Sequence, residues 1–407
     1  MTITTEKRTP IALVALLSFA LLINYVDRGS IGIAAPLIQK DFALSASQMG
    51  WVLAAFFWAY APMQPFMGWL ADRIGAERVL VSGFFVWSIA TLLTGLATGF
   101  AMLFAFRLLM GTGESVAYPS AAKLLATHVE TRHRARSMGS VVLGAVVGLT
   151  VGAFLGGLLL ARYGWRPMLI TLGGASFLWL IPWFALWGRR TTSSREVLQA
   201  GPTTMTVLRQ RALWGGMLGS FCISYAFTFV LTWMPLYLVQ ERGMSLPAMA
   251  SVAGSTFIAN GIGLVLSAWI VDTWIARGGS TNVAYKTVLS VSSAGVALSL
   301  FLCTVVGPTG AVIALLATGV LDGLNSPLWG ALAQTYAGPQ ASGRWMGMQN
   351  SVANASGMVA PVVTGYLVQQ TGHYSVALIV SAVVGLIGLV AWLVVLPTVK
   401  PIEWSAD

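Results

Sequence analysis

Charged side chains are scarce in this sequence, and their scarcity decides the class of protein. Only 9% of the 407 residues are charged, whereas 57% are hydrophobic. A soluble globular domain has about 25% charged residues, so a chain this apolar could not keep its surface hydrated. The apolar residues form blocks that match the roughly 20 residues of a membrane-spanning helix, and the alternation typical of a membrane barrel is missing. We therefore predict an all-α membrane protein.

Cysteine and histidine are also rare, which argues against several kinds of site. The two cysteines, Cys222 and Cys303, lie far apart and give neither a disulfide framework nor a metal-binding spacing. The three histidines form no H-E-x-x-H motif, and the sequence shows no nucleophile paired with a base. We therefore expect a protein that is not an enzyme and that uses no metal or organic cofactor.

The apolar blocks predict twelve membrane spans, and the basic residues between them predict the orientation. The spans lie near residues 11–36, 49–70, 79–98, 101–127, 137–161, 166–187, 212–239, 249–274, 285–306, 309–336, 345–369 and 374–396. If the N-terminus lies inside, most Lys and Arg residues fall on the cytoplasmic side. We expect a multi-pass protein of the cytoplasmic (inner) membrane with both termini in the cytoplasm. This distribution explains the net charge of +10 without a nucleic-acid partner.

One polar stretch divides the chain into two parts that resemble each other. Residues 188–211 separate an N-terminal half, residues 1–187, from a C-terminal half, residues 212–407. The run Trp69–Asp72 of the first half resembles the run Trp269–Asp272, which lies 200 residues later in the second half. Two parallel six-helix halves with a substrate site near the membrane midplane are a known transporter architecture. We predict two six-helix halves joined by a cytoplasmic linker.

Five full charges fall well inside the predicted spans. A charge at the centre of a spanning helix costs about 2.5–3.5 kcal/mol, so these charges must line a polar interior, pair with one another, or both. Neighbouring residues point about 100° apart around a helix, whereas residues seven apart share a face at a distance too long for direct contact. Purely structural pairing is the alternative for the set. The five are Asp27, Arg28, Arg107, Glu114 and Asp322.

These charges suggest how an anion and a proton would be bound. A guanidinium stays protonated and donates paired hydrogen bonds to carboxylates, so we predict that Arg28 binds an anion. Arg107 is a second clamp or an outer gate, unless it only bonds to helix ends. Burial favours the neutral form of a carboxyl group and a neighbouring arginine favours the charged form. Glu114 and Asp27 are therefore predicted to take protons and release an arginine, while Asp322 either pairs across the halves or is a further proton site.

The loop after the second predicted span carries a specific motif. It reads G-W-L-A-D-R-I-G-A-E-R and fits the G-x-L-x-D-R-x-G-x-x-R signature of the major facilitator superfamily, which the chain resembles. The resemblance implies a gating role, in which an acidic residue at a helix end meets a helix N-terminus or an arginine and latches the outward-open state. The residues assigned to this gate are Gly68, Asp72, Arg73, Arg78 and Arg136.

A narrower resemblance points to the anion:cation symporter family, whose members carry sugar acids such as hexuronate, glucarate and galactonate. The supporting segments are Asn24-Tyr-Val-Asp-Arg28, Tyr60-Ala-Pro-Met-Gln64 and the Asn350…Asn354 pair. The resemblance implies that Tyr25, Tyr60 and Gln64 bind substrate hydroxyl or carboxylate groups. Asn350 and Asn354 share a helix face and either bind hydroxyls or join helices. Asp322 is not a hallmark of this family.

The expected function is therefore a proton-coupled symporter that imports a small organic anion, namely a hexonate, hexarate or hexuronate, by alternating access. One alternative is a proton-coupled efflux carrier for amphipathic drugs or lysolipids, which would need an apolar cavity rather than two buried arginines. A membrane receptor is a different class, which the duplicated halves, the loop motif and the twelve spans disfavour, while a transceptor role stays open as an alternative. We expect a monomer in the lipid bilayer, with protons as the coupling ion.

Overall fold

The computed structural model describes residues 11–187 and 202–404, and within these ranges the protein is helical and has no strand. The α-helices, in chain order, are α1 Ile11–Asp41, α2 Ala46–Ile74, α3 Ala76–Gly95, α4 Phe100–Glu114, α5 Ala117–His128, α6 Thr131–Tyr163, α7 Trp165–Ser176, α8 Leu180–Leu186, α9 Thr204–Leu208, α10 Arg211–Thr232, α11 Met234–Leu236, α12 Leu246–Ala276, α13 Thr281–Val305, α14 Pro308–Thr371 and α15 Ser375–Val390. A 3₁₀ turn follows α7 at Phe177–Trp179, and π-helical turns follow α11 and α15 at Tyr237–Glu241 and Ala391–Val395.

The described helices confirm the prediction of an all-α membrane protein. Eleven of the helical segments are long and apolar enough to cross a bilayer. Helix α2, with 29 residues, is the twelfth long segment and is interrupted by Pro62 and Pro65. Helix α14 counts as two segments because Gly338 leaves the helical conformation at a φ of 60°. The twelve predicted spans therefore each have a helix.

Large apolar side chains on the outside of the protein fit a lipid environment. Leu158, Val265 and Val394 are each more than 60% exposed, and many further Leu, Ile, Val and Phe side chains are exposed along the long helices. A soluble monomer rarely exposes apolar surface on this scale. The bilayer replaces water around these side chains, so their exposure costs nothing.

The described residues fall into two compact units. Unit 1 comprises residues up to 42 and residues 55–187, and unit 2 comprises residues 43–54 and residues from 202 onwards. Most of the predicted linker, residues 188–201, lies outside the described residues. The described end of the linker carries the short helix α9, whose N-cap Thr203 accepts a hydrogen bond from the Thr206 backbone N–H.

Within unit 1, a row of glycines lets helix α6 touch the backbone of helix α1. Gly144, Gly148 and Gly152 recur every fourth residue, so they lie on one face of α6. A Cβ at Gly144 or Gly148 would collide with the backbone of Ser18 or Leu22. Such small-residue faces are how helices approach closely in membranes. This contact fixes the rotation of α1 and therefore the directions of the charged residues that follow on it.

Two prolines break spans of unit 1 next to charged groups. Proline lacks the N–H that would bond the carbonyl four residues earlier, and its ring collides with that carbonyl. Pro119 therefore ends α4 at Glu114, and α5 starts afresh at Ala117. Pro182 has the same effect one span later, where α7 ends at Ser176 and a 3₁₀ turn precedes α8. The predicted spans 101–127 and 166–187 are thus each two helices.

The α1–α6 contact gives a stability prediction. Replacing Gly148 by Val should lower the midpoint of thermal unfolding of the purified protein, because overpacking a tight contact costs about 1–3 kcal/mol. Gly139→Val is the matched control, since Gly139 lies on the same helix and has open space where a Cβ would be added. Equal midpoints for the two variants would show that the close contact does not stabilise the protein.

Candidate functional site

Five charged side chains are buried in the described part of the chain, and they are the five inside the predicted spans. Each is at most 7% exposed. Four lie in unit 1 on α1 and α4, and the fifth lies in unit 2 on α14. Three of those in unit 1 are joined by an ion pair and a shared aromatic ring, and Asp27 lies apart from them on α1. The set of four is Asp27, Arg28, Arg107 and Glu114.

An ion pair joins α1 to the C-terminal end of α4. Arg28 Nε and Nη2 both donate to Glu114 Oε2, at 2.9 and 2.8 Å. The other carboxylate oxygen, Glu114 Oε1, is buried and accepts no hydrogen bond from the described residues. Glu114 is the last residue of α4, next to the short interruption before Pro119 that separates α4 from α5. Glu114 Oε2 therefore accepts both hydrogen bonds from Arg28, whereas Glu114 Oε1 has no hydrogen-bond partner among the described residues.

Aromatic rings enclose the Arg28 guanidinium. Its central carbon lies 4.5 Å from the ring centres of Tyr25 and Tyr60 and 4.7 Å from that of Phe56. Aromatic faces attract cations, and the attraction strengthens where water is excluded. Asn24 Oδ1 also accepts from Arg28 Nη2 at 3.4 Å. The rings keep Arg28 charged and dry while leaving Glu114 as its ionic partner.

Arg107 is the second buried cation, and it has no ionic partner. Its guanidinium lies 5.0 Å from the centre of the Phe56 ring, so both arginines contact the same ring. Nη1 donates to Met110 Sδ at 3.0 Å, and Nε is buried without a hydrogen-bond partner. Among the residues that the structure describes, no carboxylate lies within ion-pair distance of Arg107. A buried cation with unused donors is a site that an anion would fill.

Asp27 points away from this pair, as helical geometry requires of a residue next to Arg28. Its Oδ2 lies 3.1 Å from Ser176 Oγ at the end of α7, and its Oδ1 is buried without a partner. Ser176 Oγ also lies 2.9 Å from the carbonyl oxygen of Leu172. A hydroxyl has only one hydrogen to donate. If Ser176 donates it to Leu172, the contact with Asp27 is a hydrogen bond only when Asp27 carries a proton.

Hydroxyl and amide groups lie beside the charged set. Tyr25 and Tyr118 hydroxyl oxygens are 3.1 Å apart, in the space next to the Arg28 cage. Gln64 is buried one helical turn after Tyr60 on α2. The structure therefore brings Tyr25, Tyr60 and Gln64 into unit 1 together with both arginines, and their roles as substrate ligands stay predictions.

The remaining predicted ligands and the fifth charge lie in unit 2. Asn354 Nδ2 donates to the backbone oxygen of Asn350, so part of this pair is engaged along its own helix. Asp322 Oδ2 accepts a hydrogen bond of 2.8 Å from Asn260 Nδ2 on α12. Asp322 is therefore partnered within unit 2 by an amide, and no described cation lies within ion-pair distance of it.

The predicted gate residues lie at the ends of α2, α3 and α6. Arg73, Arg78 and Arg136 are exposed, and the Arg73 guanidinium lies 5.3 Å from the centre of the Trp69 ring. Gly68 lies in the last turns of α2. The side chain of Asp72 lies outside the described residues. The proposed latch therefore stays a prediction.

Four contributors to this chemistry escaped the sequence analysis. Phe56 was detectable, because Phe56, Tyr60 and Gln64 are four residues apart and share one face of α2. Tyr118 was visible only as the residue before a helix-breaking proline. Nothing in the sequence marks Ser176 and Asn260 as functional, because a single neutral polar residue in an apolar helix brings no charge and belongs to no repeating pattern.

The chain matches known families over nearly its whole length. The Major Facilitator Superfamily model matches residues 17–284 and 279–406. A probable galactarate/D-glucarate transporter of Escherichia coli K12 is 31% identical, with 98% of this chain and 96% of that protein covered. A probable sulfoacetate transporter of Cupriavidus necator is 30% identical over 92% of this chain and 91% of the relative.

The chain also matches one further transporter in sequence and one solved transporter structure in fold. A D-galactonate transporter of Escherichia coli O6:H1 is 28% identical, with 93% of each chain covered. Among solved structures, a bacterial homologue of the human lysosomal transporter Spinster, in an inward-facing and occupied conformation, superposes with a TM-score of 0.81. That match covers 96% of this chain and 97% of the other, at 16% identity, so it shows the fold alone.

The buried ion pair gives a prediction about stability. Glu114→Leu should lower the midpoint of thermal unfolding strongly, because removing one partner of a buried pair costs about 3–5 kcal/mol. The double variant R28M/E114L should recover most of that loss, since no charge is then left unpaired. Glu130→Leu is the control, because that side chain is 28% exposed. A double variant no more stable than E114L would contradict a buried ion pair.

Proposed function

Because the chain belongs to the major facilitator superfamily, we propose that it is a proton-coupled symporter that imports a small organic anion by alternating access. The chain is a multi-pass membrane transporter of the organic-anion type and not an enzyme. We propose a sugar acid as the substrate, in the class of hexonates, hexarates and hexuronates, because the relatives named for galactarate, D-glucarate and D-galactonate align along nearly the full chain.

The observation that supports this proposal most is the unpaired cation at Arg107. Arg28 is already neutralised by Glu114, whereas Arg107 is 2% exposed and has a buried Nε with no partner. A buried charge persists only where something compensates for its lost hydration. We propose that a substrate carboxylate supplies this compensation. The guanidinium is suited to it because it stays protonated and offers several donors in one plane.

The charges of unit 1 also suggest which anions fit. With Glu114 ionised, Arg28 and Glu114 cancel, and when Asp27 carries its proton Arg107 leaves one positive charge for one carboxylate. If Glu114 takes a proton, Arg28 is freed as well, and two guanidinium groups that both contact the Phe56 ring are open to the substrate. A hexonate would use one of them. A hexarate, which has a carboxylate at each end, would use both.

Protonation of Glu114 is the proposed link between proton and anion. Its Oε1 is buried and unbonded, so a proton has a free oxygen to occupy there. A protonated Glu114 no longer holds Arg28, which then turns to the substrate carboxylate; loss of the proton restores the pair and expels the anion. Asp27 is the proposed second proton site of unit 1, because its contact with Ser176 has room for a proton between the two oxygens. Net entry of positive charge with a monoanion needs at least two protons.

The neutral groups of the site are proposed to recognise the sugar chain. The hydroxyls of Tyr25 and Tyr118 and the amide of Gln64 can each donate and accept hydrogen bonds, as a polyol requires. Asn350 and Asn354 in unit 2 are proposed to contribute amides. These ligands would separate sugar acids from simple carboxylates, which offer no hydroxyl groups.

The remaining features of the proposal concern the membrane and the gate. We propose that the protein is a monomer in the cytoplasmic membrane with both termini in the cytoplasm, following the distribution of its basic residues. The loop residues Gly68, Asp72, Arg73, Arg78 and Arg136 are proposed to gate the cytoplasmic side. An efflux carrier for amphipathic compounds explains the two buried arginines less well, because apolar cargo has no carboxylate to offer them.

Binding of the anion at Arg107 can be tested with purified protein. D-galactonate and galactarate should raise the midpoint of thermal unfolding of the unaltered protein, and Arg107→Gln should abolish that rise. Arg162→Gln is the matched control, since it removes one charge from an exposed position of unit 1. A rise that survives in R107Q would remove Arg107 from the binding site, and no rise with any sugar acid would contradict the substrate class.

The coupling role of Glu114 can be tested in proteoliposomes. An inwardly directed proton gradient should drive accumulation of labelled D-galactonate by the unaltered protein. Glu114→Gln imitates the protonated side chain and cannot release a proton, so it should still exchange internal for external galactonate but lose gradient-driven accumulation. Full accumulation by E114Q would remove Glu114 from coupling.

A further inference from the structure

Asp322 is a buried acid of unit 2 and is not part of the charged set of unit 1. Asp322 on α14 is 7% exposed, and its only hydrogen-bond partner among the described residues is Asn260 on α12, which is 9% exposed. The bond engages one carboxylate oxygen, Oδ2, at 2.8 Å from Asn260 Nδ2. The second oxygen, Oδ1, has none. Asp322 is the only buried charged side chain in the described part of unit 2.

Glycines hold the two helices together around this acid. A Cβ at Gly319 would collide with the Thr256 backbone oxygen, and one at Gly323 with the Asn260 backbone oxygen. Gly319 and Gly323 are four residues apart on either side of Asp322, so they form a small-residue face against α12. The helices meet backbone to backbone at this level. Asp322 and Asn260 are therefore held in a fixed, closely packed junction.

The space next to the acid is too small and too apolar to stabilise a negative charge. A cavity of about 10 Å³ adjoins Asp322, room for one water-sized body, and the carbon atoms of Phe227, Val230 and Phe257 line most of it. Two hydroxyls also line it, those of Thr256 and Thr318. Both already donate to carbonyls of their own helices, each at 2.9 Å, so neither donates to Asp322.

Among the described side chains of the helices packed against Asp322, no counter-charge faces it. The cavity lining comes from α10, α12 and α14 and includes no titratable group besides Asp322 itself among the described residues. Arg211 on α10 donates to the carbonyls of Val394 and Val395, and Lys286 on α13 donates to the carbonyl of Leu396. Asp272 on α12 is exposed.

The other titratable groups of these helices also have positions away from the cavity. Tyr285 and the thiols Cys222 and Cys303 do not line it, and neither does Tyr225 or Tyr336. Cys303 Sγ donates to the Ala311 backbone oxygen, and the Tyr336 hydroxyl to that of Pro397. Among the described residues, one amide hydrogen bond is thus the protein's only compensation for removing most of the Asp322 side chain from water, and a single bond does not offset that cost.

We propose that Asp322 and Asn260 form a second proton-binding site, in unit 2, separate from the charged set of unit 1. The proton binds at Oδ1 of Asp322, which converts the carboxylate to a neutral acid while Asn260 continues to donate to Oδ2. The proton comes from water on one side of the membrane and leaves to water on the other, and no bond other than O–H forms or breaks. A calcium or magnesium ion would need six or more oxygen ligands, which the described lining does not provide.

This inference rests on the proposed symport function for its consequence, although not for its geometry. Each anion would then enter with one more proton than unit 1 alone carries. The extra positive charge makes uptake more sensitive to an inside-negative membrane potential. It also gives unit 2 a part in energy coupling.

Infrared spectroscopy of the purified full-length protein tests the site without any substrate. A protonated carboxyl group has a C=O stretching band that is separate from the bands of an ionised carboxylate. The difference spectrum between acid and alkaline samples should contain such a band that is lost in Asp322→Asn and kept in Glu403→Gln, where Glu403 is an exposed carboxylate of the same unit. A D322N spectrum identical to that of the unaltered protein would overturn the proposal.

A second variant keeps the test decisive if D322N does not fold. Asn260→Ala removes the only hydrogen bond that favours the charged carboxylate, so the band of Asp322 should persist to higher pH than in the unaltered protein. An unchanged pH midpoint in N260A would contradict the pairing. A band present at every pH would mean that Asp322 never releases its proton, which also contradicts a transport role.

Transport measurements separate this inference from the proposed function. In proteoliposomes with opposing proton and D-galactonate gradients, the balance point gives the number of protons per anion, which should fall by one in D322N and stay unchanged in E403Q. An unchanged ratio in D322N would overturn the second site while leaving symport intact. If the unaltered protein takes up no sugar acid, the proposed function fails, and the infrared result still decides whether Asp322 exchanges a proton.

Discussion

The pairing of Arg28 with Glu114 is the interaction on which the rest of this structure depends. Two opposite charges removed from water are stable only together, because a single buried charge loses its hydration free energy and gains no ionic attraction in exchange. Any event that neutralises Glu114 must therefore be matched by a new partner for Arg28. In the proposed symport, this constraint is what would join the binding of a proton to the binding of an anion. Arg107 has no such partner among the described residues, so it does not share this constraint.

The geometry of the pair is set by features that carry no charge. The glycine row of α6 fixes the rotation of α1 and hence the opposite directions of Asp27 and Arg28. Pro119 ends α4 at Glu114, and Pro182 ends regular helix near Ser176. Each acid of unit 1 thus lies at or against a place where a helix is broken.

The sequence predicts the frame and the charges better than their contacts. Hydropathy predicts every span, and the cost of buried charge singles out Asp27, Arg28, Arg107, Glu114 and Asp322 without any structure. The partners depend on the rotation of one helix against another, which residue spacing within a helix does not determine. Spacing showed that Arg107 and Glu114 could not touch, but not that Glu114 would instead meet Arg28. Ser176 and Asn260 could not be predicted as partners, because they are uncharged and belong to no repeating sequence pattern.

The two units use the same helical frame for different electrostatic purposes. Trp69–Asp72 and Trp269–Asp272 still echo each other, yet unit 1 holds four buried charges of both signs and unit 2 holds one acid bound to an amide. A network of both signs can exchange partners, as binding and release of an anion require. A lone acid can only gain or lose a proton. The number of charges that each unit buries therefore favours the first unit as the place where the substrate carboxylate is bound, and it gives the second unit a buried acid that can only exchange a proton.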